Sequence, residues 1–136
     1  MAKREKKPDL TLLGRSEAKL PASPDEATLE TFQNPARRAY RIRFETADFT
    51  SLCPVTGQMD FAQLTIEYVP AKLCVESKSL KFYLGSYRNV RAFNEAVTNR
   101  ILDDFVRACR PSEATVTAQF SARGGIALTV RAEYER

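Results

Sequence analysis

The chain has 136 residues, 43% of them hydrophobic, and a formal net charge of +4, which suits one domain with one modest core. It has three cysteines and no histidine. That excludes Ser–His and Cys–His catalysis and any His-ligated metal, while three widely spaced cysteines fit neither a disulfide framework nor a zinc site, so no metal is expected. No run of about 18 apolar residues occurs, and the basic stretch Met1 to Leu10 leads into no apolar segment. Neither a membrane span nor a secretory signal is therefore expected, and the cytoplasm is the expected location.

Residues 1–29 mix Lys, Glu, Pro, Ser and Asp with little periodicity, and read as a mobile basic and polar tail. Lys3, Arg4, Lys6 and Lys7 read as solvated charges, and no direct nucleic-acid contact is expected. The domain is expected over 30–136. Tyr40, Ile42 and Phe44 alternate with Arg41 and Arg43, which predicts a strand over 38–45. Residues 46–57 read as a loop with Pro54 and Gly57 as breakers, and a second alternating strand follows over 61–69.

The period then changes. Leu80, Tyr83 and Leu84 share one face of a helix predicted over 77–87. A longer helix is predicted over 90–109, with an apolar stripe of Phe93, Val97, Ile101 and Phe105 reinforced by Leu102 and Val106. Two alternating runs, from Ala114 to Phe120 and from Ile126 to Val130, flank Arg123-Gly124-Gly125 and predict an antiparallel hairpin. The order ββααββ implies an α+β fold: a four-stranded antiparallel sheet with two helices on one face. Its two free edges invite pairing, and ring-shaped homo-oligomers are one way to cover them.

Three segments could carry chemistry. In Cys53-Pro54-Val55-Thr56-Gly57-Gln58-Met59-Asp60 a thiol sits in a polar loop and a carboxyl group returns at the start of the next strand. Folded together, the pair offers a nucleophile and a proton donor. Cys74 and Cys109 read as small buried hydrophobes. In Val75-Glu76-Ser77-Lys78-Ser79-Leu80-Lys81, two lysines share a helix face near its N-terminus, where free backbone amides and hydroxyls favour an anion such as a phosphate. The competing reading is a capping segment with solvated lysines. Glu76, following an apolar strand end, could instead take paired N–H donors from a guanine-like base. In Phe93-Asn94-Glu95 the phenylalanine reads as core, and Glu95 could reach a ligand.

Together, Cys53-Pro54-x-Thr56-Gly57-Gln58-x-Asp60-Phe61 and Glu76-Ser77-Lys78-Ser79-Leu80-Lys81-Phe82-Tyr83 resemble the NADPH-dependent nitrile reductases of queuosine biosynthesis, in their short single-domain form. These reduce 7-cyano-7-deazaguanine to 7-aminomethyl-7-deazaguanine. Tyr87-Arg88-Asn89 and Arg123-Gly124-Gly125 extend the resemblance, which covers about Thr31 to Ile126. It implies a tunnelling fold (T-fold) in rings, usually a decamer of two pentamers face to face, with active sites between subunits. It implies that Cys53 adds to the nitrile carbon to give a thioimide and that Asp60 donates the proton. Two NADPH then deliver hydrides in turn. Val75, Glu76, Ser77, Phe93, Asn94 and Glu95 would hold the substrate, and Lys78, Ser79, Lys81, Arg123 and Gly124 the cofactor. One departure stands out: Asn94 occupies the position of the family's histidine, and an amide cannot shuttle a proton. That departure keeps an alternative in view, a thioimide-forming amidinotransferase or a non-reducing deazaguanine-binding protein.

Overall fold

A computed structural model describes residues 20–136. In chain order the elements are β1 (Thr31–Gln33), β2 (Ile42–Leu52), β3 (Met59–Val69), β4 (Leu73–Val75), α1 (Ser77–Gly85), α2 (Asn94–Cys109), β5 (Glu113–Arg123) and β6 (Ile126–Glu135). Single turns of 3-10 helix stand at Pro24–Glu26 and Ser86–Asn89. The molecule is α+β. Its main sheet is antiparallel throughout, in the order β2-β3-β5-β6, so β2 and β6 are the edges.

Period-two burial gives the sheet its inner face. Along β3, Asp60, Ala62, Leu64, Ile66 and Tyr68 are buried while Met59, Phe61 and Gln63 are exposed. Ala114, Val116, Ala118 and Phe120 continue that face on β5. Helix α2 lays Val97, Ile101, Leu102 and Phe105 on it, with Phe105 edge-on to Tyr68 at 4.8 Å between ring centroids. Helix α1 adds Leu80 and Tyr83. The Tyr83 hydroxyl meets that of Tyr87 at 2.7 Å and donates to Asp104 Oδ2 at 2.6 Å, tying α1 to α2.

The differences from the sequence expectations have local causes. Residues 46–52 are strand rather than loop. A bulge between Thr46 and Phe49 swaps the buried positions from even to odd residues, which breaks the alternation read from sequence. A second irregularity between Phe120 and Arg123 carries β5 on to Arg123. Helix α2 begins at Asn94, not near 90, because Val90 to Ala92 is extended and bonds to β2. Phe93 is the N-cap, 62% exposed, and does not belong to the core stripe. A small second sheet, β1 against β4, was not expected at all.

Of the expected tail, residues 1–19 lie outside the described residues. Residues 20–29 lie on the domain. Pro24 is buried, Arg88 Nη1 donates to Pro21 O at 2.9 Å, and Arg100 pairs with Asp25 at 2.6 Å. Packed chain therefore begins ahead of residue 30. Among the described residues no helix is long and apolar enough to cross a membrane.

Candidate active site

The β2–β3 connection closes tightly. Cys53 N–H donates to Gln58 O at 2.8 Å and Gly57 N–H to Cys53 O at 2.9 Å. Gly57 has φ +75, and a Cβ there would stand 3.1 Å from an Arg91 guanidinium nitrogen, so both backbone and neighbour favour glycine. In register, Ser51 opposes Asp60 and Leu52 opposes Met59. Cys53 follows the last residue of β2, its N–H bonded to Gln58 O, and Asp60 is the second residue of β3. The loop thus places Cys53 and Asp60 at the same end of the sheet.

Cys53 is half-buried, and its ionisation is pulled down to about 7 from the ordinary thiol value. The hydrogen bond from the Thr56 hydroxyl contributes most, followed by the Thr56 and Val55 amides, with Arg123 adding its charge against an opposing push from burial. Thr56 has one hydroxyl proton to give. Gln58 Oε1 at 3.3 Å is a long acceptor, and a thiolate competes for it as the stronger one. Asp60 is 8% exposed, and its Oδ1 takes the Arg123 guanidinium at 2.8 Å. Arg123 also reaches Gln58 Oε1 and Met59 O, each at 3.2 Å. Cys74 and Cys109 are buried, and burial pushes the Cys109 thiol up to about 12.

Residues 90–92 bring in the third segment. Leu52 N–H donates to Val90 O and Ala92 N–H to Leu52 O, a parallel bridge that sets Phe93, Asn94 and Glu95 beside the Cys53 loop. Glu95 is exposed in the first turn of α2, and Asn94 Oδ1 is buried with no partner.

The Glu76 segment lies elsewhere. Val75 N–H donates to the Tyr68 hydroxyl at 2.9 Å, and Tyr68 is eight residues along β3 from Asp60, roughly 25 Å of strand. One subunit does not bring Glu76 and Cys53 to one small ligand. Glu76 is the N-cap of α1: Lys78 N–H donates to its Oε2 at 2.9 Å and Ser79 N–H to its Oε1 at 2.8 Å, holding the carboxyl below its usual range. The amides expected to be free for an anion are thus engaged. The Ser79 hydroxyl is engaged too, accepting from Glu30 N–H at 2.9 Å and donating to Glu76 O at 2.8 Å. Ser79 therefore fastens the helix start rather than offering a free hydroxyl to a phosphate. Ser77, Lys78 and Lys81 stay exposed. Ser77 and Lys81 edge a cleft of about 540 Å³ between α1 and the bulged stretch of β2, which has Phe44, Phe49, Leu80 and Leu84 in its walls.

Sequence reasoning missed the contact of Arg123 with Asp60, which only the bulged hairpin creates. It also missed Ser51, although the period of two through Cys53 was available as a signal.

A half-buried thiol that ionises near neutrality, in a loop beside a buried carboxyl, has the character of a cysteine nucleophile. The chain belongs to the QueF family: the family model described as "QueF-like protein" matches residues 59–136. The chain is 54% identical over 118 residues to an NADPH-dependent 7-cyano-7-deazaguanine reductase of Nitrosococcus oceani, covering 86% of this chain and 91% of that protein. It is likewise 54% identical over 128 residues to the reductase of that name from Syntrophus aciditrophicus, covering 93% and 87%. Among solved structures it is similar to the apo archaeosine synthase QueF-Like, with TM-score 0.64, 26% identity, and coverage of 68% of this chain and 91% of that one.

Proposed function

We propose that the chain reduces the nitrile of 7-cyano-7-deazaguanine to the aminomethyl group, with NADPH as reductant, in queuosine biosynthesis. The observation that carries this reading is Cys53, tuned to ionise at about 7 in the loop that leads into β3, whose second residue is Asp60. The names and similarity of the relatives support the same activity. The Cys53 sulfur adds to the electrophilic nitrile carbon, one π bond of the C≡N group opens, and Asp60 supplies the proton to nitrogen. The product of this step is a thioimide on Cys53. Glu95 and Asn94 flank the ligand from the start of α2.

The residues fit the cofactor in part. Lys78 and Lys81 are exposed cations on the first turns of α1, and Lys81 and Ser77 edge the 540 Å³ cleft. With two amides and the Ser79 hydroxyl already engaged, those ammonium groups and Ser77 are what the segment offers to phosphates. Bound there, NADPH supplies the hydrides. The work left to the chain is to hold the phosphates, exclude water and deliver protons.

The site closes between subunits. Glu76 to Lys81 of one chain would meet Cys53 and Asp60 of the next, in a ring built on the T-fold pattern, the decamer of two pentamers that the resemblance implies. Two features support assembly: the long open edges of β2 and β6, and the apolar side chains of Val55, Met59, Phe61, Phe93 and Ile126, each at least half exposed around the Cys53 end of the sheet. The intact mass of the protein mixed with the nitrile, without NADPH, should rise by one ligand mass. Cys53→Ala should abolish the rise, while Cys74→Ala and Cys109→Ala keep it. Adding NADPH should then consume it and release the amine. An adduct that never consumes NADPH points to the amidinotransferase or the binding protein, and an adduct that persists in Cys53→Ala removes Cys53 as the nucleophile.

A further inference from the structure

Asp60 has to do two things. It must face the reacting nitrogen, and it must exchange a proton with Cys53. Its Oδ1 is held by Arg123 at 2.8 Å, which leaves Oδ2 as the oxygen outside that ion pair. The chain commits structure to that contact. An irregularity between Phe120 and Arg123, followed by Gly124 and Gly125 at φ +57 and +79, turns the end of β5 so that Arg123 reaches across to β3. Arg123 then spans Gln58, Met59 and Asp60, the residues that close the Cys53 loop. Directly opposite Asp60 in the ladder, the Ser51 hydroxyl is fully buried and has no partner.

We propose that Arg123 is a positioning residue for the nitrile addition: it pins Asp60 by Oδ1, so that Oδ2 carries the proton between the Cys53 thiol and the nitrile nitrogen. This rests on the nitrile-reductase reading above. The step balances. The Cys53 S–H proton passes to Asp60 Oδ2, the thiolate forms the S–C bond, one C–N π bond breaks, and the same proton moves from Oδ2 to nitrogen. Asp60 ends as it began, still held by Arg123. The guanidinium also favours the Cys53 thiolate by its charge, less than the Thr56 and Val55 hydrogen bonds do. The other charged groups at this end are Arg91, over Gly57, and Glu95, exposed on α2.

The test is adduct formation with the nitrile in the absence of NADPH, timed by quenching and intact mass, with the alkylation of Cys53 followed across neutral pH. Arg123→Ala should slow adduct formation about ten- to a hundredfold, the cost of a misaimed catalytic group. It should also move the Cys53 alkylation midpoint slightly upward, because Arg123 contributes least to lowering it. Arg123→Lys keeps the charge, so it should hold the midpoint near the parental value and recover part of the rate. Three results overturn the proposal. Parental rate and midpoint with a raised KM for NADPH would make Arg123 a cofactor ligand. A lowered Tm with parental rate and midpoint, in either variant, would make it a hairpin staple. No adduct in the parent protein would remove the nitrile reading itself, and the inference with it.

Discussion

The two ends of the molecule each carry a motif of polar and charged groups, and they hold them in opposite ways. At the Cys53 end the reactive groups are left available: the thiol is half-buried and ionises near neutrality, Asp60 keeps one oxygen outside its ion pair, and apolar side chains stand exposed around them. At the Glu76 end the same kinds of groups are largely tied up, with the carboxylate on two amides and Ser79 bonded twice. One end leaves its groups available, and the other ties them into the start of a helix. A motif seen in sequence does not say which of these it is.

The sharpest way to separate the ends is an isosteric swap at each. Asp60→Asn should slow thioimide formation by roughly 100- to 10,000-fold, the usual contribution of a general acid, because an amide cannot protonate the nitrile nitrogen. The fold should persist, since Asn keeps the shape and can still accept from Arg123. A near-parental adduct rate would mean that another group supplies the proton, and the contrast between the ends would collapse.

A smaller effect is expected from the exposed lysines. Lys78→Ala combined with Lys81→Ala should raise the KM for NADPH, by about tenfold or more for each lysine if its contact is a charge-assisted hydrogen bond. Nitrile adduct formation should continue, and added salt should weaken NADPH in the parent in the same direction. Loss of the adduct in the double variant would mean that this segment serves the nitrile pocket.

Much of this was legible in the sequence, and the limits have physical reasons. The period of two in Leu64, Ile66 and Tyr68 and the helical stripe from Val97 to Phe105 fixed the inner face, because burial on one side leaves that pattern. Cys53 and Asp60 could be paired because only a short loop separates them. The bulge at Thr46/Phe49 could not be read, since one extra residue on a strand leaves no mark except a broken alternation. Phe93 misled because an exposed aromatic ring and a core one are the same letter, and only the N-cap position of α2 tells them apart. The contact of Arg123 with Asp60 joins residues 63 positions apart through a strand irregularity, so no local pattern announces it.

The smallest effect belongs to Glu76, and it tests whether a cap can also be a ligand. An ionised carboxylate has two oxygens with about four acceptor positions. The two amides of α1 use one on each oxygen, which leaves one on each for the paired N–H groups of a deazaguanine. The capping and ligand-binding readings are therefore compatible. Glu76→Gln keeps the size of the side chain and removes its charge, and an amide can offer only one acceptor oxygen. It should lower Tm by a few degrees at neutral pH, because the cap loses a charge-assisted bond and its favourable place at the helix N-terminus. The sign of the pH dependence follows from the direction of the shift. Amide hydrogen bonds lower the folded value beneath the ordinary 4.5, so the charge contributes stability above that value and loses it as pH falls through the lowered one. The Tm gap between parent and Glu76→Gln should thus be full at neutral pH and close in acid. A gap that persists in acid would mean that the charge is not what stabilises the helix start. Nitrile capture gives the second, independent readout. If Glu76 of one subunit also holds the substrate of the next, Glu76→Gln should raise the nitrile concentration needed for adduct formation at neutral pH, where the fold is intact. A Tm gap without that rise would leave Glu76 as a cap alone.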